Sequence, residues 1–471
     1  MHTNIDFRQV VHALSDTLDL VGVDEVQHGK RVAFMARECG RAMGLDNEAL
    51  DRLYNAALLH DCGVSSTTVH RHLVTELDWE GSEEHCQRGA DLLAGHELFA
   101  DLAPLIRHHH THWQDLKAMG IAEELALVNN CIYLTDRVDS LAAGQNLSEL
   151  LLVKDEIRAT IARYRSTFFA PKLVDIFLAV SNNEFFWLTL EPRHLDLYLA
   201  EMALDTSPRQ LGPESFLHLA RMFATIVDAK SPFTMEHSLG VSRLAKRLGQ
   251  RLNLGDDACQ ALEVAGLLHD LGKLRIPDEI LEKPGPLDER ERATMKHHSF
   301  ESYQILRRID GLADIAEMAA FHHETLSGEG YPFHLTGTRL STEARVIAVA
   351  DIFQALAQNR PYRAAMAPTE IMAILHGLAD TNRLDRQVVE TVAENLPDCW
   401  EVATGAPFPM AAPAQPTPAA AARQAVPAAG ANIPCEGCGR HIPAELLHSQ
   451  GGHGALCPDC RAEAESCNCG D

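Results

Sequence analysis

Up to about residue 400, apolar residues recur at three- and four-residue intervals, the period of helices that bury one face. VQHGKRVAFMARECGRAMGL (26–45) and MEHSLGVSRLAKRLGQRLNL (235–254) show it most clearly, each running toward a glycine stop. Alternating apolar and polar positions of the strand type are scarce, so the pattern predicts an all-α fold. The most apolar stretch, 173–190, is interrupted by Asp175, Asn182, Asn183 and Glu184, and no bilayer span is expected from it. The helical period ends before 403–433, an Ala/Pro-rich segment whose one charge is Arg423 and which reads as a semi-extended linker. Residues 434–471 are then a separate small unit.

Composition narrows the partners. With Lys+Arg 41 against Asp+Glu 66, the 471-residue chain carries a net charge of −25, which disfavours nucleic acid or an anionic membrane as a bulk partner. A hydrophobic content of 46% with 23% charged residues excludes a mostly disordered chain. The N-terminus, MHTNIDFRQV, lacks the basic-then-apolar order of a secretory signal, so a cytoplasmic location is expected. In that reducing setting, the 25 histidines and 12 cysteines point to metal rather than to disulfides.

The histidines fall into an internal repeat. LLHD occurs twice, at His60–Asp61 and His269–Asp270, each preceded at the same distance by a histidine, His28 or His237. Downstream come His85 and His298, then at a second matching distance the pairs His109–His110 and His322–His323, and last Asp136 and Asp351. A lone helical histidine is ordinarily a surface or core residue. Duplication of a merely structural core would preserve apolar positions rather than seven ligand-type residues. Each copy therefore offers a mixed N/O shell of the kind that suits Fe, Mn, Ni or Zn. In both, the HD aspartate is placed to bridge two cations, and a pair about 3.5–4 Å apart can clamp the attacking and leaving oxygens of a phosphoryl centre.

The second copy resembles the HD-GYP domain, a subgroup of HD-superfamily metal-dependent phosphohydrolases. The resemblance lies in LLHDLGKLRIPDEILEKPGPL (267–287), MKHHSFESYQIL (295–306), HHETLSGEGYP (322–332), RVIAVADIFQAL (345–356) and NRPYR (359–363). It implies hydrolysis of cyclic di-GMP to the linear dinucleotide or GMP at an iron or manganese centre, with cyclic GMP-AMP as an alternative substrate and a weak, nucleotide-responsive scaffold as an alternative role. It further implies His237, His269, Asp270, His298, His322, His323 and Asp351 as ligands, with His298 preferred over His297. Lys273 is implied as a catalytic contact to the scissile phosphate, beside Asp270, with Tyr331, Arg360 and Arg363 as substrate contacts. Two departures stand out. Phe233 replaces the glutamate that accompanies a third metal, so two divalent metals are expected, and Ser327 replaces an aspartate in the GYP loop.

The first copy keeps the ligand types (His28, His60, Asp61, His85, His109, His110 and Asp136) and loses the substrate motifs. Val64 stands at the lysine position, HHTHWQDLKAMG replaces the GYP segment, and Gln145 and Ser148 replace the two arginines, while Asp24 is a possible extra ligand. A second dinuclear site there suits a structural or regulatory role ahead of an independent activity. In the tail, Cys435-x2-Cys438 and Cys457-x2-Cys460 have the spacing of a zinc-ribbon-like site for one structural Zn, with Cys467 and Cys469 to spare. The expected order is an HD-type domain (1–205), an HD-GYP domain (206–402), the linker (403–433) and the zinc module (434–471). The zinc module is expected to dock a protein partner if it docks anything, and a homodimer stays open.

Overall fold

The structure is a computed structural model in which residues 5–22, 27–64, 66–143, 149–204, 209–230, 236–359, 364–409, 432–434 and 441–443 are described. The three-to-four period becomes helix almost throughout. His28–Met43 buries Val32, Met35, Ala36 and Cys39, and His237–Arg251 buries Val241, Leu244, Ala245 and Leu248 at corresponding places. Both helices stop at the same offset from their leading histidine, on a residue in the left-handed region, Gly44 (φ 83°) and Asn253 (φ 56°). There the N–H groups of Leu45 and Leu254 close back on the carbonyls of Gly40 and Gly249 at 3.2 and 2.9 Å, a Schellman-type ending. The stop of the second helix is thus an asparagine. The glycine beyond it, Gly255, is the N-cap of the next helix, Asp256–Leu268.

Asn47–Leu58 and Asp256–Leu268 pack on these first helices and deliver His60–Asp61 and His269–Asp270 just past their ends. The HD glycine that follows, Gly63 or Gly272, lies so close to the next ligand-bearing helix that a methyl group would collide with the carbonyl of His85 or His298. Glu83–Ala94 and His297–Leu306 are that next helix, and Glu123–Ala143 and Thr342–Ala357 bring in the last aspartates. The first copy continues through four more helices, Leu150–Arg163 to Pro192–Leu204. The second closes with Pro368–Asp380, Arg386–Glu394 and Leu396–Thr404.

The two copies form one compact unit, 1–408, with a continuous apolar core. Its end lies a few residues beyond the expected 402, because the final helix runs to Thr404. A two-stranded antiparallel ribbon ties the copies together, Ile5 opposite Leu211 and Asp6 opposite Gln210. Lys230 of the second copy is buried and donates to the Leu274 carbonyl (2.6 Å) and to Thr67 Oγ1 of the first copy (3.3 Å). Asp278 in turn accepts from Ser66 Oγ and the Thr67 N–H, both at 2.9 Å. The loops following the two HD pairs therefore touch. In the second unit, 432–434 and 441–443 pair antiparallel, and Cys435, Cys438, Cys457 and Cys460 lie outside the described residues. Among the described residues no helix is long and apolar enough to cross a membrane.

Candidate metal centres

In the second copy the seven ligand-type side chains converge around Asp270. Its Oδ2 faces His237 Nε2 (3.5 Å) and His269 Nε2 (3.1 Å), and Asp351 Oδ1 completes that group at 3.2 Å from His237. Its Oδ1 faces His298 Nε2 (3.7 Å) and His322 Nε2 (3.9 Å), with the His323 ring 4.1 Å from that of His322. The arrangement is two ligand groups, His237–His269–Asp351 and His298–His322–His323, with Asp270 grouped between them beside His269 and His322. His297 is exposed and His298 fully buried, so it is His298 that faces the cluster.

The residues fit cations on their own chemistry. His237 Nε2, His269 Nε2 and Asp270 Oδ1 are buried without a hydrogen bond, a costly state unless something else satisfies them. Burial holds His298 down at about 4 and His322 at about 3, so both are neutral, the ligating form. Burial also acts to lower His237, but the facing carboxylates of Asp270 and Asp351 lift it to about 9, which marks a position that calls for positive charge.

The outward ring nitrogens are fixed by the protein. Nδ1 of His269, His298 and His322 each meets a carbonyl one turn back, those of Gly266, Met295 and Ala319, at 2.9, 2.7 and 2.6 Å. His237 Nδ1 pairs with Gln354 Oε1, one turn after Asp351 on the same helix. This fixes the tautomer that leaves Nε2 for a cation. Gln354→Leu is therefore expected to weaken Mn2+ binding at this centre by about 10–100-fold, read by chelator competition, with Gln354→Glu retaining most of the affinity.

Lys273 adjoins the site, its Nζ 2.8 Å from Asp270 Oδ2. The Tyr331 ring is 4.8 Å from that of His323, with Lys296 Nζ 5.3 Å from the tyrosine ring. The GYP loop does without the aspartate replaced by Ser327. Thr325 Oγ1 accepts the N–H groups of Glu329 and Gly330 (both 3.0 Å), and Ser327 Oγ lies 3.0 Å from it. Buried Glu324 then accepts from the N–H groups of Phe333 (2.7 Å) and Leu335 (2.9 Å), holding His334 between them at φ 54°. Arg360, Arg363 and Phe233 lie outside the described residues, as do Asp24, Gln145 and Ser148 of the first copy.

The first copy repeats the construction. Asp61 Oδ2 faces His28 (3.7 Å) and His60 (3.5 Å), its Oδ1 faces His85 (3.4 Å) and His109 (3.7 Å), and Asp136 reaches His28 (3.6 Å) and His110 (3.6 Å). Its surroundings differ in ways that motif spacing missed. His28 Nδ1 pairs with Asp139, itself held by Arg31, where the second copy has Gln354 and Gly240. The buried Arg137 guanidinium binds Asp136 Oδ2 at 2.8 Å, so this cluster does have a cationic neighbour. His70 shares a small cavity wall with His28, His60 and Asp61, beside the buried Val64 that replaces lysine. Asp139 and Gln354 were detectable in sequence as i+3 neighbours of a ligand on one helix face, whereas Arg137 and His70 carry no such signal.

Comparison with known proteins decides the family. Models described as HD domain match residues 26–141 and 221–388. The 3′3′-cGAMP-specific phosphodiesterase 1 of Vibrio cholerae serotype O1 is 36% identical over 399 residues, covering 83% of this chain and 92% of that protein. The chain belongs to the HD-domain phosphohydrolases of the HD-GYP type. A cyclic di-GMP phosphodiesterase response regulator of Xanthomonas campestris pv. campestris is 38% identical over 138 residues, 29% of this chain and 36% of that protein. Among solved structures, the cyclic GMP-AMP-specific phosphodiesterase of V. cholerae superposes with a TM-score of 0.60 at 25% identity, covering 84% of this chain and 98% of that one. HD domains are metal-dependent, and the two clusters are where this HD chain could hold ions.

Proposed function

We propose that the second copy is a cyclic-dinucleotide phosphodiesterase acting on 3′3′-cyclic GMP-AMP, with two divalent cations, Fe2+ or Mn2+, held by His237, His269, Asp270 and Asp351 and by Asp270, His298, His322 and His323. The observation that carries this is Asp270, whose two oxygens face two separate histidine groups while the partly exposed Lys273 also reaches it. Cations held there supply Lewis-acid neutralisation and make water ionisable near neutral pH. The chain's own residues do the rest. Lys273 faces the developing charge on the phosphoryl oxygens, and Tyr331, its ring 4.8 Å from that of His323, offers the nucleotide a surface to pack on. Arg360 and Arg363 offer guanidinium forks to the second phosphate. In a chain of net charge −25 these cations focus positive potential where an anionic ligand binds.

The substrate choice rests on coverage. The relatives that match across both copies are named for cyclic GMP-AMP, whereas the cyclic di-GMP enzyme above matches 29% of the chain. Cyclic di-GMP is the second reading, supported by that match. The test is product analysis with the full chain, loaded anaerobically with Fe2+ or Mn2+ and offered both nucleotides. A linear dinucleotide should form from cyclic GMP-AMP with at least about tenfold higher kcat/KM, a margin of about 1.4 kcal/mol. A preference for cyclic di-GMP reverses the assignment, and no cleavage of either sinks it. A cytoplasmic place fits such a substrate. The four-cysteine module is read as a structural zinc unit.

A further inference from the structure

The two centres differ at the residue after their third histidine. In the second copy this is Ser299, whose Oγ lies 3.2 Å from His298 Nε2. In the first it is Cys86, almost fully buried, its Sγ 3.7 Å from both His85 Nε2 and His109 Nε2. Those two nitrogens are 3.1 Å apart, and Asp61 Oδ1, buried without a hydrogen bond, is 3.4 and 3.7 Å from them. Metal–nitrogen bonds of about 2.0–2.1 Å and a metal–sulfur bond of about 2.3 Å make the edges of a tetrahedron roughly 3.4 Å between nitrogens and 3.6 Å between nitrogen and sulfur. The observed separations match such a shell.

We propose that Cys86 is a thiolate ligand in the first copy's cluster, completing a four-donor shell with Asp61, His85 and His109 and making it a mixed N/O/S site for a thiophilic divalent cation such as Zn2+. The second centre, with a hydroxyl at the equivalent place, stays an N/O site open to Mn2+. Soft thiolate ligands favour Zn2+ and Fe2+, while carboxylate-rich shells accept Mn2+. On binding, the Cys86 S–H bond breaks, a metal–sulfur bond forms and the proton passes to solvent. The contact given up is the one from Cys86 Sγ to the Ser82 carbonyl, 3.2 Å away. The two copies would thus load different metals within one chain, which goes beyond the phosphodiesterase reading and rests only on the first cluster holding an ion.

Cadmium NMR of the cadmium-loaded full chain tests this, because thiolate sulfur moves a cadmium resonance far downfield of an all-N/O shell. The intact chain should show a single-thiolate resonance, separate from any four-thiolate signal of the tail. Cys86→Ser should move that resonance into the N/O range without changing the cadmium content. An unchanged spectrum overturns the proposal. If His109→Ala removes no resonance at all, the first cluster holds no ion and the proposal falls, with the second centre's assignment untouched. Ser299→Cys supplies the reciprocal check should Cys86→Ser fail to fold. It should give the second centre a thiolate-shifted resonance and a gain in preference for Zn2+ over Mn2+, and a spectrum without that shift counts against the geometry.

Discussion

Asp270→Ala should abolish cyclic-dinucleotide cleavage, lowering kcat/KM by on the order of 10³-fold or more, about 4 kcal/mol of barrier. The size of the effect follows from where the carboxylate sits. Asp270 serves both ligand groups, Oδ2 toward His237 and His269 and Oδ1 toward His298 and His322, so its loss disables two cation positions at once. Among the described residues the nearest other ligand carboxylate, Asp351, has its Oδ1 on the His237–His269 side, at 3.2 and 3.8 Å, and does not substitute for it. Bound Mn2+ measured by elemental analysis should fall together with turnover. Asp270→Asn keeps the shape and one acceptor oxygen, yet it removes the negative charge that two cations share. It should lose nearly as much activity while keeping the fold. Full metal content and normal turnover in either variant would refute the shared-carboxylate site.

Much of this was visible in the sequence because ligand positions are tied to local backbone. His28 and His237 open a helix, the HD pairs follow the end of the next, and the matching distances between them survive duplication even where other residues differ. His298 could be preferred over His297 because the run from Tyr303 to Leu306 sets the register of the family histidine that the segment resembles, and His298 is the buried one of the two. What stayed hidden depends on contacts between distant segments. The ribbon joining the copies uses two residues per strand, too few for any alternation to show. Lys230, Thr67 and Asp278 are far apart in sequence and meet only through the packing of the two copies. Arg137 follows its aspartate directly, a placement equally suited to a solvated surface arginine. Its burial against Asp136 and the Glu76 carbonyl comes from the surrounding helices. Cys86 reads in sequence as a small apolar filler, since a buried free thiol is ordinary. Only its distance from two ligand nitrogens gives it another meaning.

The second large effect concerns Lys273, which should separate catalysis from metal binding. Its Nζ touches Asp270 Oδ2 at 2.8 Å, but the side chain keeps 21% of its surface exposed, against 4% for Asp270. In the first copy Val64 occupies the corresponding place and is 2% exposed, so a buried apolar side chain stands where the second copy presents a cation. A lysine aimed at phosphoryl oxygens contributes most when negative charge builds on them, and deleting one such donor costs about 10²–10³-fold in kcat. Lys273→Met is therefore expected to lower kcat by that factor while the Mn2+ content stays that of the intact chain. The methionine fills similar volume, so the fold and the Asp270 position are kept. Lys273→Arg keeps the charge but replaces a compact ammonium with a planar fork, and should recover part of the loss rather than all of it. A variant that loses metal in proportion to activity would make Lys273 a positioning residue for Asp270 instead. A fall confined to KM would place it in ground-state binding of the nucleotide.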